Sequence, residues 1–559
     1  MTGSYLDTGA AGADELLFLP LGGAGEIGMN LNLYGHNGQW LMVDFGITFG
    51  DDMTPGVDVI TPDPAFISER KDELAGLVLT HAHEDHLGAV PYLWPHIECP
   101  IYATPFTASV LRRKLAETSF GDRVEIHEVP ISGRFAVGAF EVELITITHS
   151  IPEPNAVVLR TAAGAVMHTG DWKLDPDPVV GLSTDEKRLI EVGEEGILAM
   201  VCDSTNVFID GVSGSEGGVR ENLETLVRRF DKRVAVACFA SNVARLETIA
   251  RVGEAVGRDV ALVGRSLWRI YESAKENGYL TGIRPFITEK DVGYLPSDRV
   301  LMICTGSQGE PRAALTRIAN GDHPDVDLDA GDAVVFSSRI IPGNEKSIGR
   351  LHNRLIEKGV EVVTASDEHI HVSGHPARDE LLQMYRWIRP QIAVPVHGEI
   401  RHMIAHAKLA RECQVPQPIV TKNGSVVRLA PGRAEIIDEV FADRLAMDGN
   451  RLVPLDSQAI KARRRMTYHG TAVATLVVDC DGDLIADPFI TVNGVYDAAD
   501  ADEVEREVVD AVIATIEDLR PRQRDDDDTI AEMARRAVRR CLRALCGKNP
   551  HTEIHLVRV

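Results

Sequence analysis

The first part of the chain consists of short apolar segments separated by glycine turns. Residues 15–49 contain "LLFLPLGG", "NLNLYG" and "QWLMVDFG", an alternation that is typical of β-hairpins. Further along, apolar runs such as "LAGLVLT" and "CPIYAT" end at polar residues, and the second run precedes the helical pattern "PFTASVLRRKLAE". Strands that alternate with helices predict an α/β fold with buried sheets.

The pattern changes in the middle of the chain. From 214 to 365, helical segments such as "NVARLETIARVGEAVG" alternate with strand segments such as "RVAVACFA" and "DVALVG", which predicts a separate parallel sheet inserted into the first domain. The first domain then comprises 1–213 and 366–450. We expect a linker at 451–465 and a small α+β domain at 466–559.

The composition is that of an ordinary globular protein. Its 559 residues, 44% hydrophobic and 25% charged, can form several cores. No run approaches the roughly 18 uninterrupted apolar residues of a membrane span, and "MTGSYLDTGAAGADE" has neither the basic nor the apolar region of a signal peptide. We therefore expect a cytoplasmic protein with no membrane partner. The eight cysteines include no C-x-x-C pair, which indicates free thiols rather than disulfides or a cysteine zinc site.

The formal charge of −26, from 58 basic and 84 acidic residues, disfavours an extended basic surface for duplex nucleic acid. Part of the acidic excess is concentrated in residues 497–528, a pattern typical of a solvated helix face and linker. Net charge therefore does not exclude RNA, provided that the binding site itself is basic or loaded with metal.

The segment "LVLTHAHEDHLGAV", residues 77–90, crowds histidines and carboxylates directly after an apolar strand. In an irregular loop at the carboxyl end of that strand, His81 and His83 would face one centre, and Asp85 and His86 a second centre nearby. Imidazole and carboxylate without thiolate are typical of catalytic zinc or manganese sites. Glu84 has the other parity and is expected to face solvent or to support a ligand.

Further metal ligands are expected at the ends of other strands. His149 ends "ELITITH", Asp171 ends "AVMHTGD", and His397 lies at the end of "QIAVPVHGE". Each residue alone would be unremarkable, but all three have the same topological position as the first histidine cluster. We therefore expect all seven side chains to converge.

Two further motifs have simpler interpretations. "GGAGEIG", residues 22–28, matches the glycine pattern of a dinucleotide site, but strand alternation rather than a helix follows it. A turn, or a backbone approach to the metal site, is expected instead. The acidic stretch 50–63 could hold calcium through oxygen ligands, but a solvated turn is the better interpretation.

The seven residues resemble the ligand set of the metallo-β-lactamase superfamily, whose H-x-H-x-D-H loop, later histidine and bridging aspartate bind two metals. By that resemblance, His81, His83 and His149 hold one ion, Asp85, His86 and His397 hold the other, and Asp171 bridges them. The resemblance implies two zinc ions per subunit, with manganese or magnesium as alternatives. Two dications lower the pKa of water enough to keep a nucleophile available at neutral pH.

The remaining motifs resemble the β-CASP branch of that superfamily, which processes nucleic acids. They are "CDSTNVFIDGVSGSE", "FASNVARL", "CTGSQGEPRAAL", "SSRIIPGNE", "HVSGHP" and "PVHGE". Their order is similar to that of the bacterial ribonuclease J family, closely over 15–450 and more thinly towards the C-terminus. The resemblance implies an αββα metallo-β-lactamase sandwich over 1–213 and 366–450, a β-CASP domain over 214–365, and a small α+β C-terminal domain.

The resemblance also assigns the catalytic residues. The acidic motif of the β-CASP branch falls on Asp203, and the next two motifs fall on His375 and His397. Histidine rather than valine at the third motif is similar to the RNA-acting members, so RNA is favoured over DNA. His375, Asp85 and Asp171 are then catalytic, with His375 as the proton donor to the leaving oxygen.

A pocket for the RNA backbone and its 5′ phosphate is implied as well. Its residues are Phe239, Ala240, Ser241, Asn242, His371, Val372, Ser373, Gly374 and His375. Small residues after an apolar strand expose backbone N–H groups and hydroxyls to an anion, although "TGSQGEP" is equally well interpreted as a turn that packs two domains. Arg245, Arg339, Lys346 and Arg378 could add local positive charge.

By resemblance we expect a 5′-to-3′ exoribonuclease with endonucleolytic cleavage as a second mode, which produces 5′ phosphomonoesters and acts in mRNA decay and rRNA maturation. The expected partners are single-stranded RNA with a 5′ monophosphate, further copies of the chain in a homodimer or homotetramer, and other RNA-degradation proteins. The alternatives are a small-molecule metallo-hydrolase of the thioesterase or lactamase type, a DNA-acting β-CASP nuclease, and a non-catalytic RNA-binding protein.

Overall fold

The structure, a computed structural model, describes residues 12–559. Residues 1–11, on which the expectation about a signal peptide partly rests, lie outside the described residues. The chain divides into two compact units. The first extends to Thr48 and continues over Thr61–Arg444, and the second comprises Phe49–Ile60 and Leu445–Val559.

Two mixed sheets form the framework of the first unit. The strand order of the eight-stranded sheet is Glu435–Glu439, Ser425–Ala430, Leu16–Gly22, Leu31–His36, Gln39–Val43, Leu74–Val78, Ile101–Ala103 and Ile126–Glu128. That of the seven-stranded sheet is Arg134–Val137, Phe140–Thr146, Asn155–Thr161, Gly164–His168, Ala199–Asp203, Ile392–Val396 and Gln417–Pro418. Phe18 and Leu41 from the first sheet share one buried cluster with Val157 and Val201 from the second, so the two sheets pack face to face.

Helices pack on the other face of the seven-stranded sheet. Leu189, Leu381 and Leu409, each from a different helix, join the strand residues Met167 and Met200 in a second apolar cluster. The helices of this part are Ala65–Ser68, Glu84–Leu87, Val90–Ile97, Pro105–Leu115, Glu186–Glu195, Arg378–Ile388 and Ile400–Glu412, with 3-10 turns at Lys71–Glu73 and Gly121–Arg123. The expected α/β fold class is confirmed.

The middle of the chain forms the inserted parallel sheet that the sequence predicts. Its strand order is Ile287–Thr288, Asp259–Val263, Val300–Cys304, Val234–Ala237, Ala333–Phe336 and Glu361–Thr364, and every pair is parallel. The helices are Glu216–Val227, Val243–Val256, Arg265–Glu276, Ala314–Asn320 and Glu345–Glu357, with 3-10 turns at Glu289–Tyr294 and Ser297–Arg299. Consecutive buried residues on each strand, as in Val300–Cys304, are typical of a sheet covered on both faces.

The second unit contains a three-stranded sheet in the order Phe489–Asn493, Thr471–Val478 and His551–Arg558. Burial alternates along the central strand, and the buried side chains form a cluster with one face of the helices Ala501–Glu517 and Asp527–Cys546. This unit also contains the strand Arg451–Pro454, the helices Gln458–His469 and Pro521–Arg524 and the 3-10 turn Ala498–Asp500. The strands Thr48–Phe49, Val59–Pro62 and Arg444–Asp448 belong to it in part. The stretch 451–465, predicted as a linker, thus contains a strand and the start of a helix, whereas the other domain boundaries stay predictions.

Two expectations from composition can be compared with the described residues. All eight cysteines are free, and four of them are buried. Within residues 12–559, no helix combines the length and the apolar character needed to cross a bilayer.

Candidate metal centre

The ends of parallel strands bring the predicted ligands to one place. In the eight-stranded sheet, Val43 pairs in parallel with Val78, and the chain continues from Val78 to His81. In the seven-stranded sheet, three parallel neighbours end just before Asp171, at Asp203 and just before His397. Because parallel strands end at the same sheet edge, these side chains meet there.

The H-x-H-x-D-H segment is more regular than the loop expected from the sequence. His81 and His83 lie in irregular backbone, but Glu84–Leu87 forms one helical turn that begins after His83. Asp85 and His86 therefore lie on a helix, which turns both side chains towards the centre. Glu84 points away from them and forms an ion pair with Lys114 at 2.5 Å, which agrees with its expected place outside the ligand set.

The first group of convergent side chains consists of three imidazoles. His81 Nε2 lies 3.0 Å from His83 Nδ1, and His149 Nε2 lies 3.1 Å from the same nitrogen. His81, His83 and His149 form one of the three clusters with metal-ligand spacing among the described residues.

The second group combines imidazoles with carboxylates. Asp85, His86, Asp171 and His397 form a cluster with metal-ligand spacing. His86 Nε2 lies 3.2 Å from Asp171 Oδ2, and His397 Nε2 lies 3.2 Å from Asp85 Oδ2 and 3.6 Å from Asp171 Oδ1. The structure thus brings all seven predicted residues together, while their role as ligands stays a prediction.

A third group joins His375 to this centre. Asp171, Asp203, His375 and His397 have the same close spacing. His375 Nδ1 lies 2.8 Å from Asp203 Oδ2 and 3.7 Å from Asp171 Oδ2. The predicted proton donor therefore contacts the acidic motif directly.

Outer hydrogen bonds decide which ring nitrogens face the centre. The Thr80 hydroxyl donates to Asp44 at 2.8 Å, so its oxygen is left to accept from His81 Nδ1 at 3.0 Å. His149 Nδ1 donates to Gly374 O at 2.5 Å. Both rings then present the Nε2 lone pair inward, as a metal requires, with the tautomer assigned from the hydrogen-bond network.

Sequence reasoning missed Thr80 and two further supporting residues. Asp44, which is fully buried, accepts from His86 Nδ1 at 2.6 Å, and the Thr205 hydroxyl contacts His397 Nδ1 at 2.8 Å. Asp44 directly follows the strand Gln39–Val43, next to the strand that leads to His81. The same strand-end argument that selected Asp171 would have selected it.

The two ligand groups have opposite electrostatics. Burial and the neighbouring imidazoles hold the pKa values of His81 and His149 well below the usual range, and burial lowers the pKa of His83 to about 4. For His86 and His397, burial also disfavours the charge, but the carboxylates around them outweigh it and raise both pKa values. Neutral imidazoles thus adjoin a carboxylate-rich group, and metal binding at the second group must displace protons.

The donor set fits two divalent cations. Asp171 Oδ1 is buried and has no hydrogen-bond partner, although buried carboxylate oxygens are normally satisfied. It belongs to the mixed group, and the Asp171 charge also acts on the pKa values of His83 and His149 in the imidazole group. Nitrogen and oxygen donors without sulfur suit zinc or manganese at a catalytic site.

The glycine motif supports this centre through its backbone, one of the two interpretations given above. His397 N donates to Gly23 O at 2.6 Å, and Ala24–Gly25 pairs with Gly398–Glu399. Gly23 has a φ of +83°, and a Cβ there would lie 2.4 Å from Asn30 Oδ1. The motif is therefore a turn that holds the His397 backbone.

The two predicted RNA-binding segments are neighbours. Arg245, which lies three residues after the segment 239–242, donates to Ile370 O at 3.0 Å, directly before the segment 371–375. Phe239, Ala240 and Ser241 are half-buried. Asn242 caps the helix Val243–Val256, because its side-chain oxygen accepts from Arg245 N at 2.9 Å.

The segment 371–375 packs directly on the metal centre. A Cβ on Gly374 would lie 2.5 Å from His149 Cε1, so only glycine allows this approach. Val372 is buried, and Ser373 Oγ accepts from Asn206 Nδ2 at 2.8 Å. Burial, with Arg245 nearby, lowers the pKa of His371 to about 3, and its Nδ1 is buried without a hydrogen-bond partner.

The proposed basic residues differ in whether they are neutralised. Arg245 is fully buried and pairs with Glu216 through both Glu216 oxygens, so its charge is not available to a ligand, contrary to the expectation from the sequence. Arg378 pairs with Glu412 at 2.7 Å. Arg339 and Lys346 are exposed and form no ion pair among the described residues.

The acidic stretch 50–63 contains no group of three histidine, cysteine or acidic residues with metal-ligand spacing, in the range that the structure describes. Thr54 instead forms local hydrogen bonds with Asp51.

Comparison with known proteins agrees with this arrangement. Four family models match: the beta-lactamase superfamily domain over 53–185, the ribonuclease J beta-CASP domain over 231–355, the Zn-dependent metallo-hydrolase RNA specificity domain over 349–416, and the ribonuclease J C-terminal domain over 458–559. Ribonuclease J of Sinorhizobium meliloti is 45% identical over 98% of both chains. Ribonuclease J of Mycolicibacterium smegmatis is 42% identical over 77% of both.

A solved structure supports the fold alone. A protein of unknown function from Enterococcus faecalis aligns with a TM-score of 0.52 at 17% identity, covering 74% of this chain and 100% of its own. Fold and site together define a metallo-β-lactamase-fold protein with a β-CASP domain. The chain belongs to the ribonuclease J family, which confirms the resemblance noted in its motifs.

Proposed function

We propose that the chain is a two-metal ribonuclease that removes nucleotides from the 5′ end of single-stranded RNA and also cleaves internally. The observation that carries this proposal is the convergence of seven imidazoles and carboxylates beside the Asp203–His375 pair. Membership of the ribonuclease J family supports RNA as the substrate. By the same family argument, the cellular role is mRNA decay and rRNA maturation, in a homodimer or homotetramer that works with other RNA-degradation proteins.

Zinc is the proposed metal, with manganese or magnesium as alternatives. His81, His83 and His149 would hold one ion, Asp85, His86 and His397 the other, and Asp171 would contact both. Two ions held there would supply Lewis-acid activation of water and stabilisation of negative charge on the phosphate. The all-nitrogen group and the carboxylate-rich group supply different donor sets, so the two ions are expected to differ in affinity.

The protein's own residues handle the proton. Burial disfavours a charged His375, but the carboxylates of Asp203 and Asp171 outweigh burial and raise its pKa. His375 therefore keeps its proton to a higher pH than a free imidazole does. Since Nδ1 donates to Asp203, Nε2 is the atom that can donate to the 3′ oxygen as it leaves. The product would carry a 5′ phosphate.

The strand would enter beside the segments 239–242 and 371–375. Backbone N–H groups and the Ser241 and Ser373 hydroxyls are suited to a terminal phosphate. Asp203 serves as a positioning residue, because its carboxylate orients His375.

The test uses purified protein with RNA that carries a 5′ monophosphate or a 5′ triphosphate, with and without chelator. We expect mononucleotides to be released faster from the monophosphate, and all turnover to stop with chelator. His375→Ala should slow cleavage about 10²- to 10⁴-fold with unchanged metal content. Turnover that survives chelation would overturn the two-metal proposal, and hydrolysis of thioesters, lactams or DNA in preference to RNA would favour one of the alternative functions.

A further inference from the structure

Of the four basic residues considered for RNA binding, two are neutralised by neighbouring acids. Arg245 is paired with Glu216, and Arg378 is paired with Glu412. A protein of net charge −26 can attract a polyanion only through charges that are not already paired. The cations without acidic partners are therefore the ones that could contact RNA.

Arg339 is such a cation, and it is connected to the catalytic segment. Its side chain is exposed and forms no ion pair among the described residues. Arg339 Nη1 donates to Asn206 Oδ1. The same Asn206 donates through Nδ2 to Ser373 Oγ at 2.8 Å and to His375 O at 3.0 Å. One asparagine thus joins the Arg339 guanidinium to the backbone of the proposed proton donor.

The backbone around Arg339 is also held in place. Gln308, which is 4% exposed, donates through Nε2 to Arg339 O at 2.9 Å. Its Oε1 accepts from Ile341 N at 2.9 Å and from Asn344 Nδ2 at 3.3 Å. This explains the "TGSQGEP" segment as a support for the loop at 339–344. Because the backbone of this loop is already held in place, binding a ligand at Arg339 costs little loop entropy.

Arg339 has donors to spare. A guanidinium carries five N–H groups, and the structure assigns only the bond to Asn206. The fork geometry of the remaining donors matches phosphate oxygens. Lys346 is also exposed and unpaired among the described residues, but no contact joins it to the catalytic segment.

We propose that Arg339 binds a backbone phosphate of the RNA strand next to the scissile phosphate, and that Asn206 transmits this contact to the segment carrying His375. The proposal rests on the proposed ribonuclease function. It makes Arg339 a residue that favours a polymeric substrate, which has neighbouring phosphates, over a small phosphodiester.

The test measures RNA affinity against salt in a His375→Ala background, which slows turnover. The probe is single-stranded RNA of about 12 nucleotides with a 5′ monophosphate and a 3′ fluorescein, and Kd is measured by fluorescence anisotropy. Each phosphate contact on a single strand contributes about 0.7 to the slope of log Kd against log salt. Arg339→Gln should lower that slope by about 0.7 and weaken binding about 5- to 20-fold at about 0.1 M salt.

Two variants separate charge from structure. Arg339→Lys keeps the charge but loses the planar bond to Asn206, and it should retain the parent slope. Arg378→Gln is the matched control, because Arg378 lies three residues from His375 but is already paired with Glu412; its slope should be unchanged. Arg339→Ala is a second charge-free variant, and thermal unfolding of each protein checks its folding.

The outcomes distinguish this inference from the proposed function. If neither the unsubstituted protein nor the His375→Ala parent binds RNA, the ribonuclease proposal itself is overturned. A parent that binds RNA, with Arg339→Gln and Arg339→Ala at the parent slope, overturns the role of Arg339 alone. An equal fall in slope for Arg378→Gln would also overturn the role of Arg339, because the effect would then follow from the loss of any positive charge in this region.

Discussion

Two buried clusters of ionisable side chains lie close together in the first unit and differ in one physical respect. In the Arg245 cluster, the guanidinium donates to both Glu216 oxygens, to Ser337 O and to Ile370 O. In the metal centre, His81 Nε2 and His149 Nε2 lie 3.0 Å and 3.1 Å from His83 Nδ1, and Asp171 Oδ1 has no hydrogen-bond partner. The Arg245 cluster therefore finds its hydrogen-bond partners within the chain, whereas the metal centre contains a buried polar atom that does not.

The difference separates a structural role from a ligand-binding one. A buried group that finds its partners within the chain contributes to folding and to the placement of neighbouring loops. A buried group whose lone pairs face other lone pairs is costly unless an external ligand satisfies them. Burial and charge alone do not distinguish a structural cluster from a ligand-binding one. The two kinds of cluster differ in whether each donor and acceptor has a partner within the chain.

The strongest way to break this comparison is Asp171→Asn. The change keeps the size of the side chain but removes the negative charge of the proposed shared ligand. We expect loss of at least one metal ion and a fall in RNA cleavage on the order of 10³-fold. Metal content by mass spectrometry and initial cleavage rates check this. A variant that retained two ions and most of its rate would mean that Asp171 is not a shared ligand.

The Arg245 cluster should respond in folding rather than in metal binding. Glu216→Ala leaves the Arg245 charge buried and unpaired, which typically costs about 3–5 kcal/mol. We expect that loss in the free energy of unfolding, measured by urea denaturation, with unchanged metal content in the folded protein. The double variant Glu216→Leu with Arg245→Met should recover much of the stability. Metal loss in folded Glu216→Ala would contradict the separation of the two clusters.

A smaller effect is expected from the supporting hydroxyl of Thr205. It contacts His397 Nδ1 at 2.8 Å and His397 O at 3.1 Å. Thr205→Val removes the hydroxyl at nearly constant shape. It should lower the affinity for one metal ion about 10- to 100-fold, measured by competition with a chelating dye. Thr205→Ser keeps the hydroxyl and should bind metal as the parent does. Equal weakening in both variants would exclude an effect of the hydrogen bond.

The sequence was most informative about site residues whose position follows from the order and direction of the strands. His149, Asp171 and His397 could be selected because strand ends meet at one sheet edge, whatever the details of packing. The same rule would have found Asp44. It could not show that Glu84–Leu87 forms a helical turn, because four residues carry too little periodicity to predict one.

Partners distant in the chain were outside the reach of the sequence. Arg245 appeared as an available cation, because nothing in its neighbourhood indicates that Glu216, 29 residues earlier, neutralises it. Likewise, the local pattern of "FASN" indicated an anion site, but not that Asn242 caps the following helix. Charge can be read from a sequence, but the pairing of charges requires the fold.

The central claim is that the seven convergent residues hold two metal ions. Anomalous diffraction at the zinc absorption edge, on crystals grown with zinc, tests it most directly. We predict two peaks, one contacting His81, His83 and His149 and the other contacting Asp85, His86 and His397, with Asp171 contacting both. A single peak, or zinc bound elsewhere while these side chains bond only to each other, would contradict the account.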